Sequence, residues 1–207
     1  MEIPLMSEKE YDDLARTLAG QGSLALHEHQ PDLEHLRIGL SWDKGLDSHL
    51  DLDLAALLLN EAGQARGPQD FVFYNQRQSA CRSVCHLGEY NPKHQSSPNS
   101  DNDILLIDLS RVPEEVSRIA LVVSIYKGNY RQQNFGLVRN ARVSLYNEGR
   151  EGARIAQLNL TEDVALATAA VVGELQRRGR RDWHYVAIGL GDENGIENLL
   201  IDYGLAS

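Results

Sequence analysis

The stretch LRIGLSW sets Leu36, Ile38, Leu40 and Trp42 against Arg37, Gly39 and Ser41. Apolar residues at every second position mark a strand with one buried face. RIALVVSIY repeats the pattern with Ile119, Leu121, Val123 and Ile125, and ARVSLY, RIAQLNL and WHYVAIGL follow it. LDLDLAALLL, residues 50–59, turns from alternating to continuously apolar, as a fully buried strand does. Turn-forming stretches such as NEAGQARGPQD and NEGREG separate these segments. Many short strands joined by glycine-bearing turns predict a mainly β protein, a two-sheet β-sandwich with one or two short helices.

Two segments have helical spacing. Near the start, Ser7 and Glu10 form a capping box, Tyr11, Leu14, Ala15 and Leu18 share a face, and Gly20 and Gly22 end the run. Residues 1–21 therefore read as a helical extension ahead of one domain spanning 22–207. Later, Thr161 caps a stripe of Val164, Ala167, Val171 and Leu175, and Arg177, Arg178 and Gly179 close it. That spacing predicts a helix over 162–178, with Glu174 on its solvated side and the basic run RRGRR (177–181) at its C-terminus.

Composition narrows the function. Hydrophobic residues make up 42% and charged residues 24%, as in ordinary globular proteins. No apolar run approaches the roughly 20 residues of a membrane-spanning helix, and the first residues contain no apolar signal core. A cytoplasmic location is the expectation. A net charge of −10 argues against general nucleic-acid binding. Two cysteines, Cys81 and Cys85, are too few for a disulfide scaffold.

The candidate chemistry is acidic. Asp51 and Asp53 stand at i and i+2 on a strand, hence on one face, where their carboxylates repel unless a cation lies nearby. Asp43 and Asp47 precede them, and Asp101 and Asp103 repeat the i, i+2 pattern ahead of another apolar strand. Calcium takes about 6–8 oxygen ligands in irregular geometry, and Asn91, Asn99, Asn102 and loop carbonyls add neutral oxygens. Solvated edge carboxylates, which deter aggregation, are the plainer alternative. No EF-hand loop is present. Cys81, Cys85 and His86 fall short of the about four ligands of a zinc site, and the cysteines read as buried or half-buried thiols. Ser79 and His86 lack an acyl-transfer motif around them. GLGDENG, read as having no helix behind it, makes a poor phosphate loop.

The order of GLSWD, LDLDLAALLL, DFVFYN, SVCHLGE, DNDILLIDLSRVP, QNFGLVRNARVSLYN, LNLTEDVALATAAVVGEL and WHYVAIGLG resembles the TerD family of bacterial tellurium-resistance and calcium-binding stress proteins. The resemblance runs from about Gly22 to the end. It implies a β-sandwich that binds one or two calcium ions through loops at one end, and non-catalytic work beside membrane-bound stress-resistance partners. Asp43, Asp51 and Asp53 match the family's acidic positions. Asp101, Asn102 and Asp103 stand where the family has Asp-Asp-Glu, and Glu89 stands where it has Asp. The family's glycine-rich stretch is replaced by YNPKHQSSPNS, with two prolines that remove conformational freedom. The Asp51/Asp53 side is therefore the better preserved. Two further readings stay open: a metal-dependent hydrolase using the same carboxylates, and a scaffold that has lost its metal.

Overall fold

The computed structural model describes residues 22–43, 50–89, 101–150, 152–160 and 164–205. The predicted N-terminal helix lies outside them. Two antiparallel sheets face each other. One has six strands in the order β1 (Ser23–Ala25), β11 (Trp183–Asp192), β10 (Ala169–Arg177), β7 (Arg118–Ile125), β3 (Leu52–Leu59) and β4 (Phe71–Val72). The other has five, in the order β5 (Val84–Glu89), β6 (Asp103–Asp108), β2 (His35–Ser41), β8 (Arg142–Asn147) and β9 (Ala153–Asn159). Among the described residues there are three short α-helices: α1 (Leu26–His29) and α2 (Gly128–Arg131) between strands of the two sheets, and α3 (Ile196–Asp202) after the last strand.

Strand alternation builds the main core between the sheets. Leu36, Ile38 and Leu40 of β2 meet Leu52, Leu54, Ala56 and Leu58 of β3 in a single buried cluster. The opposite side of the six-stranded sheet is buried as well. There Ala55, Leu57, Leu59, Ala120, Val122, Ala169 and Val171 pack with Phe71 and with Leu199 of α3. Burial on both faces explains why β3 loses its alternation after Asp53.

The predicted helix over 162–178 is a strand from Ala169 onward. β10 lies between β7 and β11 and is hydrogen-bonded to both. A strand buried on both faces is apolar at every position, so a helical stripe can be picked out of it by chance. Ala170, Val172 and Leu175 face the main core, while Ala169 and Val171 face the outer cluster. Gly173 sits at a bulge, where an added Cβ would lie 2.2 Å from the Tyr185 hydroxyl. Glu174 is buried, not solvated, at 5% exposure, and accepts a hydrogen bond from Gln176 Nε2 at 2.9 Å. Arg177 is no helix cap. Its guanidinium donates to the carbonyls of Val112, Pro113 and Val116 and stacks 4.4 Å from the Trp183 ring.

A helix does follow GLGDENG, contrary to the sequence reading. α3 begins at Ile196, and the Asp192 carboxylate fills its entrance by accepting from Asn194 N, Gly195 N and Asn198 Nδ2. The short element caps the outer face of the six-stranded sheet.

Candidate metal site at the loop end

Strand register and the backbone hydrogen bonds beside it put the seven candidates, six acidic residues and Asn102, at one end of the sandwich. Leu40 of β2 pairs with Asp103 of β6, and Glu89 of β5 pairs with the same residue. Leu52, just after Asp51, pairs with Ile125 at the end of β7. The two sheets meet here because Asp103 Oδ2 accepts the Leu54 N–H at 2.9 Å.

Within that end the carboxylates point in different directions. Asp103 faces inward and is 4% exposed. Its Oδ2 also lies 3.0 Å from His86 Nε2, and its Oδ1 accepts the Ile104 N–H at 2.9 Å. β4 pairs with β3 only at Ala56 and Leu57, and Asp103 supplies an acceptor to the backbone at Leu54. A buried N–H without an acceptor costs about 1–3 kcal/mol, so this contact is structural.

Asp101 does not share a face with Asp103, because β6 begins only at Asp103 and Asn102 interrupts the alternation. Asn102 N–H donates to Leu40 O at 2.6 Å, and its Oδ1 accepts the Trp42 N–H at 3.0 Å. Asp101 lies instead over Gly39, where a Cβ would come within 2.2 Å of its carboxylate. There it pairs with Arg37 Nη1 at 2.5 Å and accepts from the Tyr146 hydroxyl at 3.4 Å. Arg37 also pairs with Glu148 and stacks 3.9 Å from the Tyr146 ring. Burial pushes the Asp101 carboxyl above the usual carboxylate range, and Arg37 and Tyr146 offset only part of that push.

The β2–β3 side is more open. Asp43 is exposed, with Oδ2 accepting from Asn140 Nδ2 at 2.6 Å. Asp51 is exposed, its carbonyl accepting the Tyr126 N–H at 2.9 Å, and Asp53 is half-buried. Asp53 shares the parity of Ala55 and so faces the outer side of its sheet. Among the described residues, no three of His, Cys, Asp or Glu gather closely enough to hold a metal ion. Asp101 and Asp103 are 3% and 4% exposed, with protein donors on their oxygens inside the fold, so they do not fit calcium. Asp43, Asp51 and Asp53 retain the accessibility a calcium ligand needs.

The sequence singled out no role for His86. It is the residue that ties edge strand β5 to Asp103, and its Nδ1 is buried with no hydrogen-bond partner among the described residues. The signal was its parity with Val84, which points into the core. Ser79 and His86 do not form a nucleophile–base pair: the Ser79 hydroxyl bonds to the Val84 backbone, His86 Nε2 lies on Asp103, and His86 Nδ1 has no hydrogen-bond partner among the described residues. Cys81 and Cys85 are free and half-buried, as expected. Burial alone would push the Cys81 thiol up, but hydrogen bonds from the Ser79 and Ser83 hydroxyls and the backbone bring it below its ordinary value.

The TerD domain family model matches residues 14–203. The chain belongs to the TerD family. Its relatives include the tellurium resistance protein TerD of Alcaligenes sp, 35% identical over 91% of this chain and 97% of the relative. General stress protein 16U of Bacillus subtilis (strain 168) is equally similar, at 35% identity over the same shares. A solved structure of a TerD homologue from Streptomyces coelicolor A3(2) superposes with a TM-score of 0.60 at 19% identity, covering 84% of this chain and 99% of that one. That likeness concerns the fold. The TerD match begins at residue 14, so it takes in part of the stretch read from sequence as an extension.

Proposed function

We propose that this TerD-family chain is a non-catalytic, calcium-responsive stress protein of the tellurite-resistance type. It acts in the cytoplasm as a scaffold or regulator beside membrane-associated stress-resistance partners. The observation that carries the reading is the family match across residues 14–203, whose named relatives are tellurium-resistance and general stress proteins. Asp43, Asp51 and Asp53 are the residues that would hold the ion, with loop carbonyls completing its oxygen shell. Asp101 and Asp103 serve the fold instead, which favours one ion over two. The same commitment argues against a hydrolase. Two of the acidic groups such an enzyme would use, Asp101 and Asp103, are held by Arg37, His86 and the Leu54 amide. No helix among the described residues is long and apolar enough to cross a membrane, so in this reading membrane association runs through partners.

Calorimetric titration of the full chain with calcium and then magnesium tests the metal assignment. Saturable calcium binding near one ion per chain, with weaker magnesium binding, is expected, because magnesium demands a tighter octahedral shell. No calcium heat at millimolar concentration would leave the metal-free scaffold.

A further inference from the structure

The outer face of the six-stranded sheet carries a pocket of about 550 Å³, in the range of small-molecule sites. Its floor crosses β3 and β7 at Ala55 and Ser124, and Ile196 and Leu200 of α3 form one wall. A run of aromatic rings forms another. Phe71 stacks on Phe73 at 4.4 Å, Phe73 meets Tyr74 edge-on at 5.2 Å, and Tyr74 meets Tyr126 edge-on at 6.1 Å. Rings so arranged favour a further flat ring, which stacks or meets them edge-on as they meet each other.

Ser124 adds a buried hydroxyl to the floor. The residue is 7% exposed and shares the parity of Ala120 and Val122, which face the outer cluster. Among the described residues its Oγ has no hydrogen-bond partner, so its donor and its acceptor are offered to the pocket. A buried hydroxyl left unmatched is costly, and a ligand that matches it gains a directional contact. Net charge selects no ligand here. Asp53, Glu197 and Lys127 line the pocket and Arg131 stands beside it, so two carboxylates are matched by two cations among the described residues. Asp53 and Arg131 also make interactions of their own within the protein. The Tyr126 ring already has the chain's own cations against it, with Lys127 Nζ and the Arg131 guanidinium at 5.2 and 5.5 Å.

We infer that this pocket binds a small neutral aromatic molecule bearing one hydrogen-bonding group. The ring packs on Phe73, Tyr74 and Ala55, and its polar group meets Ser124 Oγ. A charged ligand would give up its hydration without finding an excess of opposite charge. Asp53 lines the pocket, but nothing is asked of its carboxylate, so the inference stands apart from the proposed calcium function.

Indole is the probe, and indene, which carries CH2 in place of the indole N–H, is its control. Each is titrated calorimetrically into the full chain in the presence of chelator, so that the outcome does not depend on calcium. Saturable indole binding is expected, about three- to tenfold tighter than indene. Ser124→Ala should bring indole down to the level of indene and leave indene unchanged. It should also leave urea unfolding unchanged, because it breaks no side-chain hydrogen bond among the described residues. Tryptamine and indole-3-acetate add a cation and an anion to the same ring, and both should bind at least about tenfold more weakly than indole. Tyr74→Ala, a change at a partly exposed ring, should weaken indole and indene alike. No saturation at millimolar indole would overturn the inference. So would indole binding that is indifferent to Ser124→Ala, or tryptamine or indole-3-acetate binding more tightly than indole, which would mean that charge selects the ligand.

Discussion

His86 Nε2 and Asp103 Oδ2 lie 3.0 Å apart with both side chains buried, and the same oxygen accepts the Leu54 N–H from the facing sheet. One carboxylate thereby joins β5, β6 and β3. Asp103→Ala leaves the Leu54 amide and His86 without this acceptor, and should cost about 2–4 kcal/mol in urea unfolding. The loss should be the same with calcium and with chelator. A loss seen only with calcium would make Asp103 a metal ligand.

Calcium should raise the melting temperature through the β2–β3 side. An ion bound only by the folded state adds about 2.7 kcal/mol when free calcium is 100 times Kd. Asp53→Asn should shrink that shift, while in chelator it should be neutral or slightly stabilising because Asp51 loses a like-charged neighbour. Asp101→Asn should leave the calcium-induced shift at its wild-type size, whatever it does to the baseline. Melting curves of both variants, with calcium and with chelator, decide the matter.

Arg37 should show its role through pH. Asp101 is already pushed above the ordinary carboxylate range by burial, with Arg37 opposing that push. Arg37→Leu removes the opposition, so the folded-state value rises further. A raised folded value contributes stability that is fully present below the unfolded value of about 3.9 and is lost as pH climbs through the folded value. The variant should therefore lose about 3 kcal/mol near neutrality and recover part of it in mild acid. Urea unfolding across that range measures it, and a penalty that does not change with pH would show that Asp101 is not the group left behind.

Gly173→Ala separates strand from helix by sign. In a helix interior alanine would stabilise by up to about 1 kcal/mol. In β10 the new Cβ meets the Tyr185 hydroxyl at 2.2 Å, and overpacking of this kind costs about 1–3 kcal/mol. Tyr185→Phe in the same chain should restore little, because the ring atoms Cζ and Cε2 still lie 2.5 and 2.6 Å from the new Cβ. A stabilising Gly173→Ala would contradict the strand.

Local pattern was enough for much of the fold. A period of two marked β2, β7, β8, β9 and β11, because each has one face on the main core and a different environment on the other. The acidic residues Asp43, after one strand, and Asp51, Asp53, Asp101 and Asp103, at the entries of two others, were legible as clusters, and the pairing of those strands keeps them at one end. Two things were beyond reach of pattern. β10 is apolar on both faces, so its spacing fits helix and strand alike; only its place between β7 and β11, with α3 over the outer side, selects the strand. The direction of each carboxylate was likewise undecided. Sequence spacing put Asp101 and Asp103 on one face, whereas the break at Asn102 sends one to Arg37 over Gly39 and the other to His86 and the facing sheet. Partners 64 and 17 residues away settle those positions, and such partners meet only when the two sheets close on each other.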